Sequence, residues 1–449
     1  MKRSSQRLSF AAACIALSMA GGVSAQDWPQ WRGPTRDGKV TGFKAPATWP
    51  KELTQKWKTE VGNGVSTPAL VGDKLFTFTR VEDEEVIRCL NATTGKEDWQ
   101  YKYSSPQVER PADSFPGPRA SPAVAEGVVC TNGVTGIVTC LDAASGKERW
   151  RKDDYNSAHP QFFASSSPLI QDGVCFVQLG GGGRGGGGGG GMIAYDLSSG
   201  AKKWEWKGDG PAYGSPVLAT VAGEKVLIMP TAGNMAAVGV ADGKQHWFVS
   251  YTQGRYNAAT PIVTGDTVIY GGITRGMSAE KLAKKGAELD GTVVWTNEEH
   301  SLIYNTPVLK DGKLYGLNTS SVLFCLDAAT GKTAWSAPLG DAAGGGAPGG
   351  KAGGGGAGGG FGGGKGGKGG KGGGMGGNTA GYGSVVDAGS VLFALSPAGT
   401  LVVYEPNATE FKKIASYKVA EGGTFAYPII AGNRVFIKDA NSVALLTIE

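Results

Sequence analysis

Between residue 54 and the C-terminus, apolar residues come in runs of about four to eight, each bounded by Gly, Asp, Asn or Pro. Runs of that length, rich in Val, Ile, Phe and Trp, predict strands rather than helices. From Ser121 the chain reads SPAVAEG, VVCTN, GIVTCLDA and ERWRKD, four strands in succession with tight turns between them. One stretch is ambiguous. In GMSAEKLAKKGAELDG (276–291), Glu280 and Lys284 have the i,i+4 spacing of a short helix. The unit needs a third strand there, so MSAEKL is expected as a strand of irregular form.

The four-strand unit recurs, and two markers set its register. The first is Gly-x-x-x-Trp, at Gly95/Trp99, Gly146/Trp150, Gly200/Trp204, Gly243/Trp247, Gly291/Trp295 and Gly331/Trp335. The second is a small hydroxylated residue followed by proline, at Pro68, Pro122, Pro168, Pro216, Pro261 and Pro307, with degenerate copies at Ser384-Val385 and Tyr427-Pro428. The first six prolines lie 54, 46, 48, 45 and 46 residues apart, and the degenerate copies bring the count to eight units. Four strands in a period of about 40–50 residues predict an all-β fold, an eight-bladed β-propeller of four-stranded antiparallel blades. One blade cannot bury both its faces; eight packed radially can. Blades are expected near 66–103, 119–153, 165–207, 213–250, 258–297, 304–339, 382–417 and 425–449. The last holds three strands at most, while TQKWKTE (54–60) is a fourth strand with no blade before it. The strand of Trp57 is therefore expected to pair with residues 442–448 and close the ring, which removes exposed sheet edges.

The phrase CLDAASGKERW (140–150) has near copies at 89–99 and 325–335, and repetition makes it architecture rather than a catalytic signature. Cys140 and Leu141 end a third strand. Asp142 accepts backbone hydrogen bonds in the turn, and Gly146 supplies a positive φ. Lys147 is solvated, and Trp150 wedges its ring between blades with its N–H paired.

The pattern A-x-D-x-x-T-G-K-x-x-W, repeated over an eight-bladed ring, resembles the PQQ enzyme repeat. That repeat occurs in quinoprotein alcohol dehydrogenases and in cofactor-free relatives such as BamB, the outer-membrane β-barrel assembly lipoprotein. The resemblance covers about residues 50–449, and the opening DWPQWRGPTRDG (27–38) is similar to that of many exported bacterial PQQ-like propellers. It is specific for the fold and poor evidence for activity. For the dehydrogenases it implies two adjacent cysteines forming a ring against PQQ, and a calcium held by Glu, Asn and Asp. This sequence has no Cys-Cys pair, and the calcium positions find no confident match. The expectation is a non-catalytic binding or scaffold propeller, in cell-envelope or outer-membrane protein assembly by analogy with BamB, with no cofactor and no metal. The alternative is a PQQ-dependent oxidoreductase using PQQ with calcium.

Residues 1–25 read as a cleaved export signal: Lys2, Arg3 and Arg7, a short apolar run from Leu8 to Met19, then Val23-Ser24-Ala25. Ala11-Ala12-Ala13-Cys14 faintly resembles a lipoprotein box but lacks its leucine. A periplasmic or secreted protein is expected, with residues 26–53 as an N-terminal extension and no transmembrane helix. Without the signal, the formal charge falls from +5 to +2. Five more cations, Arg184, Lys351, Lys365, Lys368 and Lys371, lie in glycine-rich segments at 180–191 and 340–381, which leaves the body near −3. A nucleic-acid partner would need a basic face, and none is seen outside those segments. The segments have almost nothing to bury and are expected as disordered insertions.

The five cysteines beyond the signal are an odd number, which argues against a full disulfide framework. Cys89, Cys140 and Cys325 share one slot of the repeat and read as core residues. Cys130 and Cys140 flank a hairpin turn and are either bonded or free. His246 falls inside a blade phrase, and His159 and His300 fall between blades without a metal-ligand pattern. The run Glu82-Asp83-Glu84-Glu85 reads as a solvated hairpin tip.

Propeller geometry puts the loops between second and third strands on one face, together with the connections between blades. The extra length falls there, at 104–118, 154–164 and the two glycine segments. Long loops on a rigid scaffold favour binding. Residues entering the innermost strands should ring the channel mouth at this face: Arg119, Phe163, Tyr213, Arg255, Tyr256, Asn257, Tyr304, Asn305, Tyr382 and Tyr427. Aromatic, amide and guanidinium groups suit a peptide, glycan or quinone-like ligand. A protein, peptide or polysaccharide partner is expected there, and the ring itself as a monomer. The plainer reading of the same residues is that they plug the channel and support the strand starts.

Overall fold

The computed structural model describes residues 27–155, 158–181, 189–251, 257–339 and 381–449. Their regular elements are strands, grouped in eight separate four-stranded antiparallel sheets. Seven sheets take their strands in chain order, over 69–104, 123–152, 169–206, 217–250, 262–297, 308–338 and 384–418. In the eighth, three strands over 429–447 are completed by Thr54–Glu60, which pairs antiparallel with Ser442–Thr447. The chain is an eight-bladed β-propeller whose N-terminal strand closes the ring.

The repeated phrase is the joint between blades. Each third strand meets its fourth with a register shift, as between Cys140 and Leu141, and the tryptophan lies just across from it. Trp99, Trp150 and Trp335 face Cys89, Cys140 and Cys325, whereas Trp204, Trp247 and Trp295 face Ala194, Ala237 and Ala279. The slot opposite these six is small, Cys or Ala, whereas Trp57 faces Leu445 at the ring closure. The indole then reaches the next blade. Trp99 N–H donates to Ala143 O at 3.3 Å, Trp150 to Leu197 O at 2.8 Å and Trp204 to Val240 O at 3.1 Å. Trp57 makes the same bond to Ala92 O at 3.2 Å across the ring closure. Under the rings of Trp57, Trp99, Trp150, Trp204 and Trp295 lies the turn glycine of the following blade. Gly146 has φ +72°, and a Cβ there would stand 2.5 Å from the Trp99 ring. Asp142 accepts from the Ala144 and Ser145 N–H groups at 3.1 and 3.0 Å, as the turn requires, and Lys147 is exposed.

The fifth blade departs from the pattern. Gly276–Lys285 is a ten-residue strand paired along its length with Glu288–Asn297, so MSAEKL is a full strand with one bulge. The hairpin turns at Gly286. Gly291 is therefore not a turn glycine, as its letters suggested: it lies inside the fourth strand opposite Leu282, where a Cβ would run into the Glu280 carboxylate. Lengthening the hairpin moved the turn outward and left the Gly-x-x-x-Trp spacing as coincidence.

Cys89, Cys130, Cys140, Cys175 and Cys325 are buried free thiols. Cys130 and Cys140 do face each other across neighbouring strands. Glu85 corrects the solvated reading of its acidic run. Glu82 and Asp83 are exposed, but Glu85 is fully buried, its Oε2 accepting from Tyr103 O–H at 2.5 Å and its Oε1 from Val134 N–H at 2.8 Å. Strand alternation turns this last acid inward between the first two blades.

The Ser/Thr-Pro marker is a second joint, near the axis. Tyr427 N–H donates to Thr67 Oγ1 at 3.0 Å, and Thr67 N–H to Ser121 Oγ at 3.1 Å. The chain of bonds continues through Ser167, Ser215, Thr260 and Thr306 at 2.9, 3.0, 3.3 and 2.9 Å. Each hydroxyl thus ties a blade to the one before it. At the seventh blade, where proline is missing, Ser384 Oγ is buried without a partner.

Residues 27–40 line the axis of the ring from one end. Asp27 accepts the Gly72 N–H, and Trp28 bridges Leu70, both on the first blade. Pro29 O accepts from Val124 N–H of the second. Arg36 donates to Pro168 O of the third and, at 2.9 Å, to Pro216 O of the fourth. Trp31 Nε1 donates to Thr260 of the fifth at 2.9 Å. Arg32 donates to Thr306 O and Pro307 O of the sixth at 2.7 and 2.8 Å. Lys39 bridges Asp387 of the seventh, and Trp31 packs edge-on to Tyr427 of the eighth at 5.0 Å. This axial plug touches all eight blades. It enters and leaves at the ends of the first strands, opposite the long connections.

Two outcomes follow for stability. Gly146→Ala should lower the unfolding free energy by about 2–5 kcal/mol, combining a left-handed non-glycine with an overpacked indole. Gly127→Ala, at φ +76° in open space, should carry only the backbone part, about 1–2 kcal/mol. Urea denaturation of the two variants separates them. Arg36→Ala leaves the carbonyls of Pro168 and Pro216 without donors, at about 1–3 kcal/mol each. Arg36→Lys should recover only part of that loss, because an ammonium lacks the planar fork. Thermal melts of both variants test this.

Candidate functional site at the channel mouth

The position two residues before each axial slot leads into the innermost strand at the loop-rich end. Around the ring it holds Val65, Arg119, Ser165, Tyr213, Ala258, Tyr304, Tyr382 and Phe425. Tyr304 and Tyr382 stack at 4.1 Å, and Tyr382 meets Phe425 edge-on at 4.7 Å. Phe115, from the connection between the first two blades, crosses to both, at 5.9 Å from Tyr382 and 5.3 Å from Phe425. All four rings are half-buried. They close the end of the channel that the plug does not.

Arg119 completes the cluster. Its Nη2 donates to Phe115 O at 2.7 Å and to Ala112 O at 3.4 Å, which fixes the guanidinium, while Nη1 is buried without a partner. Burial draws its pKa down to about 10, opposed by the neighbouring Tyr382 and Tyr213, so it is a cation at neutral pH. Tyr213 stands beside it, its hydroxyl accepting from Phe162 N–H at 3.1 Å.

The other rim residues named from the sequence lie deeper. Phe163 is buried and stacks on His159 at 4.0 Å. Asn257 Nδ2 donates to Thr231 O and Tyr251 O at 2.9 and 2.8 Å. Asn305 Nδ2 donates to Gly381 O at 3.0 Å, and its buried Oδ1 has no partner. Tyr427 faces the plug, its hydroxyl 3.2 Å from Arg32 Nη1. Arg255 and Tyr256 lie outside the described residues, as do residues 1–25, expected as an export signal, and most of both glycine segments. Sequence reasoning missed Phe115 and Phe425. A fixed register would have found Phe425, since it holds the slot of Tyr304 and Tyr382, two positions before the axial hydroxyl.

A family model described as outer membrane protein assembly factor BamB matches residues 36–182 and 83–337, about two-thirds of the chain. The chain belongs to this BamB family. It is similar to BamB of Moranella endobia, at 28% identity over 220 residues, covering 46% of this chain and 53% of that protein. The chain thus spans about half the length of that relative. Among solved structures, BamB from Moraxella catarrhalis superposes with a TM-score of 0.58 at 14% identity, over 88% of this chain and 98% of that one. Quinohemoprotein alcohol dehydrogenase from Comamonas testosteroni gives 0.65 at 15% identity, over 94% and 80%. Both likenesses are of fold. As a BamB-family propeller, the chain has no helix long and apolar enough to cross a membrane among the described residues.

Glu85, buried between the first two blades, gives the stability of this BamB-family propeller a pH dependence. Burial raises its pKa above the usual 4.5, against the hydrogen bonds from Tyr103 and Val134. The folded state then holds a proton that the unfolded chain releases, so stability should fall as pH rises from about 4.5. Glu85→Gln should flatten that slope in urea titrations run across this range.

Proposed function

We propose that this protein is an exported, non-catalytic propeller that captures a protein or peptide partner at its loop-rich mouth, in the service of outer membrane protein assembly. The observation carrying this reading is the half-buried cluster of Phe115, Tyr304, Tyr382 and Phe425 on an axis closed from the other end. Aromatic rings on a rigid frame offer large contact area at little entropic cost. The family relationship supports the biological setting, and the leader-like first 25 residues support export.

The residues do not fit PQQ with calcium. The adjacent cysteine pair that the dehydrogenase resemblance implies is missing from the sequence. No group of three or more His, Cys, Asp or Glu gathers in a metal-holding arrangement among the described residues. Arg32, Arg36 and Trp31 fill the axis.

Replacing both Tyr304 and Tyr382 by Ala should cut partner capture at least about tenfold, the expectation for two centrally placed aromatic contacts. The melting temperature should change by no more than about 3 °C, since the pair is half-buried. Site-specific photo-crosslinking from position 304 in cells reads the first, and thermal melts the second. Crosslinks arising only from outer blade strands would sink the proposed surface. Saturable uptake of micromolar PQQ in calcium, with reduction of an artificial electron acceptor, would replace it with the oxidoreductase.

A further inference from the structure

We infer that the protein pairs with a second copy of itself through the outer rim of its fourth, fifth and sixth blades, around Val293 and Val294, in place of the monomer expected from the sequence. The rim lies on the circumference of the ring, away from the mouth, and the inference is independent of the proposed function.

Three observations carry it. The first is a break in charge. The fourth strand of each blade is the outer edge of its sheet, and open edges are normally guarded by charged side chains. Around the outer tryptophan the chain reads QKWK (55–58), EDWQ (97–100), ERWR (148–151) and KKWE (202–205), with KIAS (413–416) in the same slot of the seventh blade. Each holds at least one Lys, Arg, Asp or Glu. The three adjacent blades between them read QHWF (245–248), VVWT (293–296) and TAWS (333–336), and hold none. The second observation is exposure. Among the described residues five large apolar side chains are exposed, and three of them are here: Phe248 at 38%, Val293 at 59% and Val294 at 51%. A cluster of this kind marks a contact surface more than scattered single residues do. The long hairpin of the fifth blade leans on the fourth, with Leu282 and Leu289 in one apolar cluster with Trp247, so the two outer strands form one continuous side.

The third observation sets the occupant. The charges bordering this side are paired within the chain, Lys284 Nζ with Glu224 Oε1 at 2.6 Å and Lys285 Nζ with Asp290 Oδ2 at 2.8 Å, so no charged partner is called for. An uncharged apolar surface matches a copy of itself about a two-fold axis, where a strand carrying Lys202 and Lys203 side by side would meet its own charges. An added strand fits less well. Val293 faces Glu280 and Trp295 faces Ala279, which leaves Val294 as a bulge opposite no residue, and a bulge breaks the ladder that an incoming strand would extend. The contact is therefore side chain to side chain, and it closes after two copies.

The test uses the whole protein. At about 100 µM, sedimentation equilibrium should give the mass of two chains, falling to one on dilution. Val294→Lys repeats what Lys203 does in the same slot of the third blade. It should therefore fold, with a melting temperature within about 3 °C of the unmodified protein, and raise the dimer dissociation constant at least about tenfold. Hydrogen exchange of the unmodified protein, concentrated against dilute, should slow over 245–250 and 291–297, and this reading needs no variant. A one-chain mass up to about 1 mM overturns the inference. So does a dimer whose exchange is unchanged on these two strands, or one that Val294→Lys leaves equally tight, since the copies then meet elsewhere. A labelled nonapeptide of alternating Val and Thr covers the other occupant. Its binding by a protein that stays one chain, lost in Val294→Lys, hands the rim to an extended strand and overturns the second copy. Photo-crosslinking of a partner from position 304 should be the same in Val294→Lys, so this inference and the proposed function fail separately.

Discussion

Six Ser/Thr-Pro steps and their two degenerate copies meet near one axis, and the polar groups they bring there have to be satisfied inside the protein. The hydroxyl settles one need by accepting the backbone N–H of the preceding blade, as Ser121, Ser167 and Ser215 do. Proline settles another by having no N–H to present. What remains is a set of carbonyls directed at the channel, among them those of Pro168, Pro216, Thr306 and Pro307. Acceptors alone cannot pair with one another, so the axis needs donors. Arg32 and Arg36 supply them, and a guanidinium is well suited because it offers several donors in a fixed fork and no acceptor. Burying two cations without carboxylates is unfavourable by itself. It is tolerated here because each is held by several oxygens, and the plug leaves main-chain dipoles matched.

That arrangement gives the molecule two unlike ends. From the end opposite the long connections, residues 27–40 enter the channel, contact every blade and leave again. At the other end the channel finishes in half-buried rings and in Arg119, whose Nη1 is unmatched. The plug end pairs its main-chain carbonyls internally, with Trp28 Nε1 and Arg32 Nε left buried without partners, and the mouth leaves Arg119 Nη1 and Asn305 Oδ1 unmatched. The asymmetry follows from sequence order. The plug lies just before the strand of Trp57 that closes the ring, so the segment filling the axis and the segment sealing the circle are neighbours in the chain.

The fold was legible because its two joints repeat. Gly146 under Trp99, or Ser167 against Ser121, leaves a mark in every blade that uses it, and a period of that kind stands out from a single sequence. The plug occurs once, and its arginines bond main-chain carbonyls more than a hundred residues away, which leave no trace in residue type. Gly291 shows the opposite failure: the letters persist while the register has moved with a longer hairpin. Glu85 shows a third, since a charge run describes an average, and strand alternation buried one member of it. Of the rim residues, Arg119, Tyr213, Tyr304 and Tyr382 were legible because they share one slot. Tyr427 was named two positions late, in the axial slot itself, and that slip hid Phe425.

Aligned on that slot, the blades also explain why the mouth is lopsided. The sixth, seventh and eighth contribute Tyr304, Tyr382 and Phe425, an unbroken arc of rings, while the first, third and fifth contribute Val65, Ser165 and Ala258. Eightfold repetition would make the mouth a symmetric funnel if the slot served only to begin a strand. Small residues suffice for that, as three blades demonstrate. The arc is therefore additional to what the ring needs, and Phe115 reaches across from the connection between the first two blades to complete it. Its own carbonyl holds Arg119, which ties the only cation in the slot to the aromatic side of the ring. A scaffold built from equivalent units can acquire a directional site only where the units stop being equivalent. Here that happens in one slot, at the end of the channel the plug does not close.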